Sequence, residues 1–199
     1  MAYVILGLGN PGAEYTKTRH NAGRMVAEFL AAEEGFAFKE KKTAQALVAE
    51  GTLGDEKVLI ALPETQMNLS GKAAAALVKS KPAAKKLLVI RDELDMPLGT
   101  IKMTMPGRGS GGHKGIESVM RALKTKDFVQ MKIGISPATP TGKLRKPEAG
   151  EEVVAHVLGR FSPKEEALLN KTLARAAEAA RLFVTGSLGR ACLVANTNA

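Results

Sequence analysis

The chain has 199 residues, 45% of them hydrophobic, enough for a full core and of a length that favours one domain, expected here over residues 1–199. It has no run of about 18 apolar residues for a membrane span and no charged-then-apolar leader. Its one cysteine, Cys192, excludes a disulfide framework and a cysteine-rich zinc site. Twenty-nine Lys and Arg against twenty Asp and Glu give +9, which suits a polyanionic partner such as nucleic acid and equally an ordinary solubilising surface. Aromatic residues are 4% and Trp is missing, so an RNA partner would be held by phosphate contacts rather than by base stacking.

Short apolar runs alternating with helical periodicity predict an α/β fold, a twisted mixed and largely parallel sheet with helices on both faces. The first strand is expected from Tyr3 to Leu8, running into Gly7-Leu8-Gly9-Asn10-Pro11-Gly12. Gly7-x-Gly9-x-x-Gly12 fits the dinucleotide-binding fingerprint, which needs a helix to start at the glycines so that its amides face a pyrophosphate. Here Pro11 removes an N–H and more polar loop follows Gly12, so a nucleotide-dependent oxidoreductase is disfavoured. The first helical pattern begins near Asn21 and runs to Glu33, with Met25, Val26, Phe29 and Leu30 as its apolar face.

Further strands are expected at Ala46 to Glu50, Val58 to Leu62, Leu87 to Ile90, Thr100 to Met103 and Val129 to Ile135, with helices at Ser70 to Lys79 and Gly115 to Leu123. A long helix from Pro163 to about Thr185 has Ser162 as N-cap, Pro163 at its first position, and Glu165 and Glu166 at the positive end of its dipole. Its apolar face is Leu168, Leu169, Leu173, Ala176, Ala177, Ala180 and Phe183 or Val184. Two loops interrupt the pattern. Pro106 to Gly112 is glycine-rich and carries Arg108, and Ser136 to Gly150 holds three prolines and the cluster Lys143, Arg145 and Lys146; a loop of that length in a compact domain is functional more often than structural.

Open α/β sheets place their sites beyond the carboxyl ends of strands. Asn10, Asn68 and Asp92 all reach such positions, and His20 lies on a polar loop at one of them. A carboxylate beside a histidine fixes its tautomer and stabilises the imidazolium, while carboxamides can hold a substrate amide or a water. Ser70 and Ser110 sit in no nucleophile-elbow pattern, so water is the expected attacking group. Plainer roles exist for each residue: an Asx turn for Asn10, a helix cap for Asn68, a turn acceptor for Asp92, a structural part for His113 and a hydrogen-bonded core position for His156. Cys192, in an apolar run, reads as a packed thiol.

Several separated stretches together resemble the bacterial-type peptidyl-tRNA hydrolases. They are Gly7 to Gly12 with Tyr15, Thr18-Arg19-His20-Asn21-Ala22-Gly23, Met67-Asn68-Leu69-Ser70-Gly71-Lys72, Asp92-Glu93-Leu94-Asp95-Met96-Pro97-Leu98-Gly99, Gly111-Gly112-His113, Lys132-Ile133-Gly134-Ile135 and Val157-Leu158-Gly159. The resemblance implies hydrolysis of the ester between a peptide and the 3′-terminal ribose of tRNA with no metal or organic cofactor; composition adds the expectation of a cytoplasmic or otherwise intracellular enzyme away from the membrane, and a monomer is expected. His20 would activate water, with Asp92 orienting and charging it and Asn10 in the catalytic group. Asn10 and Asn68 would bind the peptide main chain or the water, Met67 would line an apolar floor, and Tyr15, His113 and Lys114 would complete the substrate contacts. The phosphate clamp would fall on Lys132 with Arg108, beside Lys102, and more of the tRNA on Lys143, Arg145, Lys146 and the basic face of the last helix.

Three positions depart from the family pattern. Lys114 stands where asparagine is usual, Thr104 where a cation is usual, and Arg91 where histidine is often found. A Lys114 turned into the cleft would lower the His20 pKa by like-charge repulsion, unless it paired with Asp92 and competed for that carboxylate. This lysine is also the feature that favours the alternative, a non-catalytic RNA-binding relative that keeps the fold and the basic surface.

Overall fold

The computed structural model describes residues 1–139, 141, 143–147 and 149–197. Among them seven strands form one mixed sheet: β1 (Tyr3–Gly7), β2 (Lys39–Lys41), β3 (Ala46–Leu53), β4 (Glu56–Pro63), β5 (Leu87–Pro97), β6 (Ile101–Thr104) and β7 (Val129–Ser136), in the order β2-β3-β4-β1-β5-β7-β6. The central strands β4, β1, β5 and β7 run parallel, while β2, β3 and β6 add antiparallel edges. The helices are α1 (Ala22–Glu33), α2 (Gly71–Leu77), α3 (Lys81–Ala84), α4 (Lys114–Leu123), α5 (Glu151–Leu158), α6 (Pro163–Val184) and α7 (Leu188–Asn196).

Strand alternation sorts the core into two layers. Ile5, Leu88 and Ile90 face α1, α6 and α7 on one side. Val4, Leu6, Leu87 and Val89 face α2 and α4 on the other. Gly7 and Gly23 serve this packing. A Cβ on Gly7 would lie 2.6 Å from the Ala27 Cβ, and one on Gly23 would lie 2.2 Å from the Ile90 carbonyl oxygen, so α1 approaches β1 and β5 only because both positions lack side chains. No helix starts at Gly7 to Gly12, where the chain instead enters turns, in keeping with the case against a nucleotide fingerprint.

Most elements with buried apolar faces lie where their periodicity places them; β2 and α5, which bury no residue fully, were missed, and so was α7, although its Ala191 and Ala195 are buried in the core. Strand β2 is Lys-Glu-Lys, wholly exposed, its charges guarding a sheet edge. Helix α5 buries none of its residues. Helix α7 follows the long helix, so α6 is not the last one, and its Asn196 Oδ1 accepts the Met103 amide of edge strand β6 at 2.8 Å. Around α6 the capping box forms between Ser162 and Glu165, while Leu168, expected on the apolar face, is 41% exposed. The basic residues of this helix divide: Arg181 pairs with Glu33, Glu34 and Glu178 and Arg175 donates to the Gly99 carbonyl, while Lys164 and Lys171 stand exposed. Strand β5 continues seven residues beyond the apolar run that ends at Ile90 and shifts register between Glu93 and Pro97. None of the helices is long and apolar enough to cross a membrane among the described residues.

Candidate active site

Asp92 lies within β5, paired in register with Ile133 of β7, and not in a turn after the strand. It is 3% exposed and meets two histidines. His20 comes from a single turn of 3-10 helix, Arg19–Asn21, that leads into α1; its Nδ1 is 3.0 Å from each Asp92 carboxylate oxygen. His113 is the N-cap of α4: its Nδ1 accepts the Gly115 and Ile116 amides at 3.2 and 3.4 Å, and its Nε2 is 2.9 Å from Asp92 Oδ1. A ring nitrogen that accepts amide N–H groups carries no proton, so the His113 proton sits on Nε2 and is donated to Asp92. The His20 proton on Nδ1 is likewise donated to Asp92, leaving Nε2 as the basic nitrogen.

Charge and burial oppose each other here. Burial alone would lower the His20 pKa, but the charge of Asp92 and its hydrogen bond raise it above the ordinary imidazole value. Burial alone would raise Asp92, yet the two histidines hold its carboxyl far below the usual carboxylate range.

The carboxamides form a second layer. Asn10 is buried; its Oδ1 accepts the Met67 amide at 2.8 Å, and its backbone N–H and C=O are bridged by the Asn21 side chain at 2.9 Å each. Asn10 Nδ2 donates to no acceptor among the described residues and is not sealed from solvent. Asn68 is exposed on the 3-10 turn Met67–Leu69, and no side chain caps α2, so it does not serve as the cap weighed for it. Met67 is 5% exposed, with its Sδ 2.6 Å from where a Cβ on Gly115 would lie. Tyr15 is half-buried in the turns that follow Gly12. Ser70 donates to the Met67 carbonyl and is fully buried.

The cations divide into two groups. Lys114 is 73% exposed and pairs with Glu117 at 3.6 Å, so it neither competes for Asp92 nor acts on His20; a lysine in the first turn of a helix is offset by that glutamate. Arg91, 1% exposed, pairs with Glu93 at 3.1 Å and donates to the Asp92 and Ser110 carbonyls. Glu93 also binds Lys132 at 2.8 Å, and Lys132 is the register partner of both Arg91 on β5 and Lys102 on β6. This row of cations lies on the face opposite Asp92. Lys102, Thr104, Met105, Arg108 and Lys132 line a cavity of about 510 Å³ there, roofed by the glycine-rich loop, which Gln130 holds through the Arg108 and Gly109 carbonyls. Lys143 and Arg145 are exposed on their loop, and Lys146 is tied to Asp95 of β5. His156 is half-buried on α5 and not in the core; its Nε2 lacks a partner among the described residues, and burial and then Arg19 lower its pKa against the raising effect of a hydrogen bond to the Ile135 backbone.

The family model of the peptidyl-tRNA hydrolases matches residues 4–199. The chain belongs to the peptidyl-tRNA hydrolase family. A curated peptidyl-tRNA hydrolase of Dehalococcoides mccartyi is 39% identical over 189 residues, covering 94% of this chain and 96% of its own. That of Desulforudis audaxviator is 43% identical over 178 residues, covering 89% and 84%. The crystal structure of peptidyl-tRNA hydrolase from Acinetobacter baumannii superposes with a TM-score of 0.87 at 33% identity, over 99% of this chain and 95% of that one.

In this member of the family His20, Asp92 and His113 also have a spacing that could suit a metal, their ligand atoms lying within 4.8 Å of one another. The donor set does not fit one. A metal on His113 Nε2 would force the ring proton onto Nδ1, directly against the Gly115 and Ile116 N–H groups.

The residues that sequence reasoning left without a role are Asn21, which locks Asn10, and Arg91 with Glu93, which carry the second cavity. Asn21 stood in a quoted motif, so the signal was present without its meaning. Arg91 and Glu93 flank Asp92 in a period-2 strand, which puts them on the opposite face, but only if β5 is known to continue past Ile90.

Proposed function

We propose that this protein hydrolyses the ester joining a peptide to the 3′-terminal ribose of tRNA, releasing both, as a single-domain cytoplasmic monomer that uses no metal or organic cofactor. His20 Nε2 removes a proton from water as it attacks the ester carbonyl. Asp92 stabilises the imidazolium that forms, and the proton then passes to the leaving ribose oxygen. Asn10 Nδ2 and the Asn68 carboxamide donate to the peptide carbonyl or the attacking water, with Met67 and Tyr15 against the terminal residue. His113 holds Asp92 from its far side, a positioning part in place of the substrate contact expected of it. Lys132, Lys102 and Arg108 take a tRNA phosphate, and Lys143 and Arg145 more of the backbone.

The observation that carries this reading is the His20–Asp92 contact at 3.0 Å, which commits Nδ1 and leaves Nε2 as the base. The RNA-binding alternative loses its chief support, since Lys114 turns to Glu117. The test is release of free tRNA from N-acetylated aminoacyl-tRNA against a buffer control. Release that saturates with substrate supports the esterase. Tight, salt-sensitive binding of that tRNA with release no faster than in buffer favours the binding relative.

A further inference from the structure

Two conspicuous stretches of sequence have no part in the chemistry above: Thr18-Arg19, just before His20, and Val157-Leu158-Gly159. The fold joins them. The Arg19 amide donates to the Gly159 carbonyl at 2.9 Å, and Thr18 pairs with Arg160 in an isolated antiparallel bridge. The Arg19 side chain is buried. Its Nη2 donates to both Glu165 oxygens at 3.0 and 2.8 Å, its Nη1 to the Ile135 carbonyl at 2.9 Å, and the guanidinium lies 4.7 Å from the Phe161 ring centre. Glu165 is fixed in turn, its Oε2 accepting the Ser162 amide and hydroxyl at 2.7 and 2.8 Å in the capping box of α6. Burial would raise the Glu165 pKa, but Arg19 and Ser162 hold it below its ordinary value.

We infer that Arg19, clamped by Glu165, Ile135 and Gly159, is a positioning residue that sets His20 against Asp92. The turn bearing His20 is three residues long and has no side-chain cap of its own, so its place is set by its two flanks. On one flank Asn21 is locked to Asn10; on the other Arg19 is locked to the end of β7 and the start of α6. The planar guanidinium reaches a carbonyl and both oxygens of a carboxylate at once, which a single ammonium at that position does not reproduce. A displacement of about 1 Å at a reacting group costs up to roughly a hundredfold in rate, and His20 holds both Asp92 oxygens at equal distance.

This inference rests on His20 being the base, so His20→Ala is measured beside Arg19→Lys and Glu165→Gln. Steady-state hydrolysis of N-acetylated aminoacyl-tRNA gives kcat, KM and the pH profile of each. For Arg19→Lys, kcat is expected to fall about tenfold or more with KM within about twofold. Asp92 from β5 and His113 from α4 face His20, and the acid limb should move to lower pH as His20 loses part of its contact with Asp92. Glu165→Gln, whose carboxamide oxygen still accepts from Ser162, is expected to change both quantities in the same direction by less, and it decides the matter alone if Arg19→Lys does not fold. Wild-type kcat and acid limb with only a lower Tm would overturn the inference, as would a raised KM at unchanged kcat. Wild-type turnover by His20→Ala would sink the reading of the base itself; an inactive His20→Ala beside a fully active Arg19→Lys would sink this inference alone.

Discussion

The two faces at the end of β5 are built on opposite terms. On the Asp92 face the polar groups are closed onto one another: the carboxylate takes two imidazoles, one imidazole caps a helix, and Asn10 is bonded to both Asn21 and Met67. On the other face a single carboxylate, Glu93, serves Arg91 and Lys132, while Lys102 and Arg108 stand exposed there and Lys143 and Arg145 stand exposed on the loop after β7. The first face has its geometry in place before substrate arrives, which is what acceleration of a chemical step requires. The second holds more positive charge than the protein itself neutralises, which is what a polyanion completes on binding.

That contrast is broken most severely at His20. His20→Ala is expected to lower kcat by about 10²- to 10⁴-fold while leaving tRNA affinity within about twofold, measured by single-turnover release and filter binding. Asp92→Asn should lower kcat by a similar or somewhat smaller factor, because the imidazolium loses its counter-charge and both histidines lose a carboxylate acceptor. A kcat within twofold of wild type would mean that the carboxylate is only structural.

The pH dependence separates the faces next. His20 must be neutral to act, and Asp92 raises its pKa, so kcat/KM should rise with pH on an acid limb centred above 6.5. The same pairing contributes to stability in the opposite sense: it is fully present below the unfolded imidazole value and is lost as pH rises through the raised folded one. Asp92, lowered by its partners, contributes stability above the unfolded carboxylate value of about 3.9 that is lost as pH falls through its folded value. An acid limb below 6.5 would mean that the His20–Asp92 contact is absent in solution.

The cationic face should respond to salt instead. Arg108→Ala and Lys143→Ala are each expected to lower the slope of log affinity against log salt by about one, with kcat at saturation unchanged. Unchanged slopes would place the tRNA elsewhere. The smallest effect is expected from Lys114→Asn. An exposed lysine paired with Glu117 should alter kcat and KM by less than about twofold, and a marked rise in kcat would show that it reaches the cleft during turnover.

How far the sequence could be read follows the same divide. Buried periodicity revealed β1, β3, β4, β7, α1, α4 and α6, since each carries an apolar face that something must cover. It did not reveal β2 or α5, which bury no residue fully, or α7, whose buried residues are the small Ala191 and Ala195, or the seven residues of β5 beyond Ile90, where Arg91, Asp92 and Glu93 break the apolar run because they build the site. Among site residues, His20 and Asp92 were legible as chemical types, and their contact is a matter of topology that places α1 and β5 together. The Arg91–Glu93–Lys132 network needs the register of three strands, and the cap made by His113 needs the first residue of α4. Neither is written in local spacing.

The central claim is that His20, charged by Asp92, performs the chemistry on a surface whose cations only hold the tRNA. The most direct measurement compares wild type and His20→Ala on one N-acetylated aminoacyl-tRNA, following release of free tRNA and binding of the intact substrate under the same salt. The account predicts turnover by the wild type, near-complete loss of it in His20→Ala and equal binding by both. Equal turnover by the two, or loss of binding together with turnover, would contradict it.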